Sequence, residues 1–131
     1  MISLTNPEVE AIKALSIVRP SGQRIASGEK TLEIRRWRPN LTPVEDLLIV
    51  ENGRFLRHKD DEDYDGIPVA IVKVKAVRPF TLSDMEAACA SYFEDGWLAW
   101  ELISVRPIQT TDRILAARGI YNVDWQSPDN F

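Results

Sequence analysis

Cysteine and histidine are almost missing from this sequence: Cys89 and His58 are the only ones in 131 residues. A lone cysteine cannot form a disulfide within the chain and fits a reducing compartment. One residue of each type also excludes a cysteine- and histidine-based zinc site within one chain, and no metal is expected. Long apolar runs are missing as well. The longest aliphatic stretch is Leu47-Leu48-Ile49-Val50, against about 20 residues for a membrane-crossing helix, so no membrane partner is expected. The opening Met1 to Pro7 lacks the basic flank and apolar core of a signal peptide, and the expected location is cytoplasmic. None of the six glycines falls in a phosphate-cradling loop or a dinucleotide fingerprint, and no cofactor is expected.

What is present is a globular balance, with 44 % hydrophobic and 27 % charged residues. The length suits a single domain spanning 1–131, able to bury a core without staples. Net charge is −4, but Asp60, Asp61, Glu62, Asp63 and Asp65 place five of the 20 acids within six residues. Without them, 16 bases face 15 acids. Between Arg19 and Arg38 stand six bases and only two acids, Glu29 and Glu33. A local positive patch, rather than a basic protein, is what phosphate binding requires.

Along the chain, residues 1–13 predict a short amphipathic helical extension, with Asn6 as cap, Pro7 in the first turn, and Val9 and Ile12 apolar. Ala14 to Val18 reads as a buried strand. Pro20 and Ser21 open a short helix through Ala26 that Gly28 ends. Thr31 to Trp37 alternates, with Leu32 and Ile34 facing one way and Thr31, Glu33 and Arg35 the other. A loop over 38–45 leads to a strand from Leu47 to Glu51, and Asn52-Gly53 predicts a hairpin turn into Phe55 and Leu56. An acidic loop over 59–66 precedes a strand from Val69 to Val77. Thr81 to about Tyr92 predicts the best-defined helix, with Thr81 and Asp84 as a capping box, Phe80 stapled on Met85, and Met85, Ala88, Cys89 and Tyr92 as its apolar stripe. Trp97 to Ile108 and Ile120 to Trp125 complete the strands. The class is α+β: a small β-barrel of about 5–6 mostly antiparallel strands, decorated by 2–4 short helices.

Chemistry concentrates where the first helix hands over to the next strand. Gly28 reverses the chain so that Lys30 emerges beside the helix end, and Glu33 and Arg35 lie two apart on one strand face. A cation, a carboxylate and a guanidinium within a small radius can position an anion or a base edge. The same residues would equally make a structural ion pair on a solvated strand.

Gly28-x-Lys30-x-x-Glu33-x-Arg35, preceded by Leu15-Ser16-Ile17 and Arg19-Pro20, resembles the signature of the ASCH domain (activating signal cointegrator homology). Trp97-Leu98-Ala99-Trp100-Glu101-Leu102, Val105-Arg106-Pro107-Ile108 and Gly119-Ile120-Tyr121-Asn122-Val123 are similar to that family's closing strands. The resemblance implies a barrel similar to the PUA domain, with a cleft beside the first helix that binds RNA or a nucleotide-like small molecule. Lys30, Glu33 and Arg35 would line it. Some smaller relatives are amidohydrolases acting on N4-acetylcytidine through a lysine at the position of Lys30 and a threonine three residues on. Glu33 stands at that second position here, and Thr31 follows the lysine too closely to replace the threonine. Other relatives are described as ribonucleases.

The expected function is therefore recognition of RNA or a nucleotide-like ligand by Arg19, Lys30, Glu33, Arg35, Trp37 and Tyr121. Trp37 is the aromatic expected to be free for stacking, while at least half of the group Trp37, Trp97, Trp100, Trp125 and Tyr121 should be core. The alternative is a small hydrolase, an amidohydrolase or a ribonuclease, with Lys30 and Glu33 catalytic: Glu33 as base on a water or a 2′-hydroxyl, and Lys30 or Arg35 on the developing charge. A second alternative is a protein-interaction module. Asp61-x-Asp63-x-Asp65-Gly66 matches the start of a calcium loop, but Val72 stands where the bidentate glutamate belongs, so a solvated acidic turn is expected. Cys89 is expected to pack and His58 to be exposed.

Overall fold

Leu47-Leu48-Ile49-Val50 offers apolar side chains to both faces of a strand, which suits only the centre of a sheet. In the computed structural model, which describes residues 9–126, strand β3 (Leu47–Asn52) is buried along its whole length. Leu47 and Ile49 enter one core with Leu15, Ile17, Val72 and Trp100. Leu48 and Val50 enter another, on the opposite face, with Ala14 and Ala116. Each such fully buried aliphatic side chain contributes about 1.5–3 kcal/mol, so β3 anchors both layers.

Around β3 lie strands β1 (Val9–Val18), β2 (Leu32–Arg35), β4 (Glu62–Pro79), β5 (Leu98–Pro107), β6 (Ile114–Ala117) and β7 (Ile120–Gln126). Their order is β2-β5-β4-β3-β1-β7, with β6 joined to the start of β4. The β1–β3 pair is parallel, and the other pairs are antiparallel. The single helix among the described residues, α1 (Ser21–Ser27), buries Ile25 in the first core and ends at Gly28 in the left-handed conformation. Pro20 gives α1 no side-chain cap, and the Glu51 carboxylate accepts the Gln23 N–H at 2.9 Å instead.

Several expectations change. No pairing among the described residues joins β7 to β2, so the sheet is open rather than a closed barrel. Among the described residues it has seven strands instead of 5–6, with one helix and one 3₁₀ turn instead of 2–4 helices. Val9 and Ile12, expected on a helix, belong to β1, where Val9 pairs with Gln126 and Ile12 with Val123. The rest of the expected helical extension, residues 1–8, lies outside the described residues. Asn52-Gly53 makes no tight hairpin, because the Asn52 carboxamide is 1 % exposed and engaged, accepting from Ser16 Oγ at 2.9 Å and donating to Arg54 O at 2.7 Å.

Part of the acidic loop is strand, since Glu62, Asp63 and Gly66 pair with Ala117, Ala116 and Ile114. Gly66 is required at this crossing: a Cβ there would sit 2.6 Å from both Ile114 O and Val50 Cγ1. The helix expected over Thr81–Tyr92 shrinks to the 3₁₀ turn Leu82–Asp84. Its capping box forms, but Cys89 has φ 52°, and the Ala87 carbonyl accepts the N–H groups of Thr31 and Leu32 at 2.9 and 3.3 Å. Carbonyls that would have continued a helix cover the first residues of edge strand β2 instead. Of the expected apolar stripe, Met85 and Ala88 pack with Phe80, whereas Tyr92 is exposed.

Candidate functional site

Parallel pairing of β1 with β3 matches Val18 with Asn52 and brings the carboxyl ends of both strands to one edge of the sheet. The backbone of Arg19 continues the pairing, its N–H reaching Asn52 O at 2.8 Å. On the other side of β1, Leu15 pairs with Ile120, which carries the Arg118-Gly119 turn to the same edge. Strand β2 returns there from α1, and the Arg35 guanidinium donates to Ser16 O at 3.1 Å.

These four stretches enclose a cavity of about 440 Å³, within the usual range of about 300–1,000 Å³ for small-ligand sites. Ser16, Glu33, Arg35 and Asn52 line it with polar groups, and Arg19, Arg54 and Arg118 also border it. Trp37 and Phe55, 37 % and 69 % exposed, bring aromatic surface, and Ile17 and Leu56 bring aliphatic surface. The Trp37 ring rests edge-on against buried Trp100 at 5.0 Å, and its carbonyl accepts the Trp100 indole N–H at 3.2 Å.

The three charged side chains of the strand motif converge in depth. Lys30 and Glu33 are each only 6 % exposed. Lys30 Nζ donates to Ala88 O at 2.7 Å and lies 3.4 Å from Glu33 Oε1. Glu33 Oε2 accepts from Arg35 Nε at 2.7 Å. Glu33 and Arg35 border the cavity and Lys30 does not. The ammonium is a buried support that holds the carboxylate from behind, and each Glu33 oxygen keeps a lone pair for a ligand donor.

Of the residues expected at the site, Arg19, Glu33, Arg35 and Trp37 border the cavity, whereas Lys30 and Tyr121 do not. The Tyr121 hydroxyl donates to Leu115 O at 2.8 Å, and burial pushes its phenol well above the ordinary range. Sequence reasoning missed Ser16, Asn52, Arg54, Phe55 and Arg118, all at this cavity. Their signal was positional, since they sit at strand ends that only the β1–β3 and β1–β7 pairings bring together. Arg36, just past β2, lies over Trp97 instead, its guanidinium 5.6 Å from the ring centroid.

Among the described residues no group of acids, histidine and cysteine could hold a metal ion. Asp61 accepts from the Arg57 N–H and from Arg54, and these bonds hold its carboxyl below the ordinary value. His58 is exposed, and Cys89 is half-buried with its thiol 3.8 Å from Glu29 O. No helix among the described residues is long and apolar enough to cross a membrane.

No curated protein matches the sequence. Among solved structures, the fold is similar to an ASCH protein from Zymomonas mobilis, with 20 % identity, a TM-score of 0.56, and 78 % of this chain and 71 % of that chain covered. Two single-residue mutants of the Zymomonas protein give TM-scores of 0.51 and 0.50 at 14 % and 16 % identity, over 80 % of this chain and 88 % and 86 % of theirs. The sequence model of the ASCH domain matches residues 15–112, which include the Lys30, Glu33 and Arg35 motif and most of the strands that frame the cavity. The chain therefore belongs to the ASCH-domain family.

Proposed function

We propose that this protein binds RNA, or a nucleotide-like small molecule, in the cavity bordered by Glu33 and Arg35. The observation that carries the reading is electrostatic. Four arginines and a single glutamate border one concavity, in a chain whose net charge is −4. Such local focusing attracts phosphates without a basic protein. Trp37 and Phe55 offer faces for an unpaired base. Glu33 accepts from a base N–H, and Arg35, held in place by Glu33 and Ser16 O, directs a donor beside it. Membership in the ASCH family supports the same reading.

Binding without a covalent step fits the lining better than hydrolysis. Lys30 is engaged with Ala88 O and Glu33 away from the cavity, and Thr31 is exposed and does not border it. Fluorescence anisotropy with a labelled single-stranded RNA octamer tests the proposal. Affinity should be measurable at low salt and fall steeply as salt rises. Trp37→Ala should lose about 1–3 kcal/mol of binding with the fold intact by circular dichroism. No binding at low salt, or full affinity in the Trp37 variant, would sink the reading.

A further inference from the structure

The four arginines at the cavity fall into two classes. Arg35 is ion-paired with Glu33 at 2.7 Å, a carboxylate it shares with Lys30, and Arg54 with Asp61 at 3.0 Å with a second bond to Glu62 O at 2.9 Å. Arg19 and Arg118 have no carboxylate partner among the described residues. Arg118 donates once, to the Arg57 carbonyl at 3.2 Å, and the Arg19 side chain bonds no described group. Both are exposed, and both border the cavity.

Their placement comes from the backbone. Arg19 continues β1 past Val18, its N–H fixed on Asn52 O. Arg118 sits in the corner between β6 and β7, where Gly119 takes φ 69° and so allows a tight reversal. The Leu15–Ile120 register sets that corner against Ser16 and Ile17, and the Tyr121 hydroxyl closes it onto Leu115 O. Two guanidinium groups without a carboxylate partner among the described residues thus border a site in which Ser16, Glu33, Arg35, Asn52 and Arg54 already bond to protein groups.

We infer that Arg19 and Arg118 form a phosphate clamp that selects phosphorylated nucleotides over nucleosides. This rests on the nucleotide reading above. Guanidinium matches phosphate oxygens through paired, charge-assisted N–H bonds. A nucleoside would engage Trp37 and Glu33 and leave both arginines without a phosphate to bind. The phosphate recognised could belong to a free monophosphate or to a diester of single-stranded RNA.

Titration calorimetry on the intact protein separates these possibilities, using the four common ribonucleosides, their 5′-monophosphates and a single-stranded octamer. The monophosphates should bind at least tenfold more tightly than the nucleosides. Arg19→Ala and Arg118→Ala should each lose about tenfold on the monophosphates and less than twofold on the nucleosides. If only the octamer binds, each variant should lower the salt slope by about 1, which would assign the clamp to a diester. Equal affinity for nucleoside and monophosphate, or an unchanged slope, overturns the clamp alone. Failure of every ligand to bind overturns the nucleotide reading and the clamp with it.

Discussion

Glu33 is held at both carboxylate oxygens, by Lys30 from the interior and by Arg35 from the cavity. Removing Lys30 leaves the buried Glu33 with Arg35 as its remaining counter-charge and takes the donor from Ala88 O, at a cost of about 1–3 kcal/mol. Lys30→Met should therefore lower unfolding stability by that amount in urea titrations. A second change, Glu33→Gln, should recover part of it, because the buried carboxylate charge is gone. A loss below about 1 kcal/mol would mean that water screens the pair. The motif was legible at this scale because strand alternation alone puts Glu33 and Arg35 on one face. The depth of Lys30 was not, since its acceptor, Ala88 O, lies 58 residues away. Tyr121 was read as a ligand contact for its residue type, and its hydroxyl turns to Leu115 O.

The turn after β4 shows how an element can be half legible. Thr81 and Asp84 form the capping box that their spacing predicts, but tertiary demand for the Ala87 and Ala88 carbonyls ends the helix after one turn. Asp84 also receives Arg78 Nη1 and Nη2 at 2.8 and 3.0 Å, and these bonds chiefly hold its carboxyl far below the ordinary value. A carboxylate depressed in the folded state stabilises fully above its unfolded value of about 3.9. That contribution fades as pH falls below it. Asp84→Asn should flatten the fall of melting temperature between about pH 4 and pH 2 while lowering it at pH 7. Glu45, Asp46 and Asp61 are depressed too, so the variant keeps a smaller acid slope; an unchanged slope would refute the role. Strand β6 had no alternation to reveal it, being four residues that pair with an acidic segment.

Across the whole molecule, the strand-rich class could be read from alternation and proline punctuation, whereas the openness of the sheet could not. Closure depends on which edges meet, and no local pattern encodes that. The parallel β1–β3 pairing was equally hidden, although it sets the position of Asn52 and, through it, Arg19. Charge behaved likewise: composition gave the balance, and only the folded chain gathers Arg19, Arg35, Arg54 and Arg118 around Glu33.

Because residues 16–21, 33–37, 52–56 and 117–119 each build one wall, the pocket disappears when the chain unravels. Whatever fills it therefore prefers the native form, and at a hundred times its dissociation constant should delay heat denaturation by the equivalent of about 2.7 kcal/mol. A melting screen across small metabolites can then test the proposed binding without any assay for activity, and compounds that leave the transition unmoved drop out.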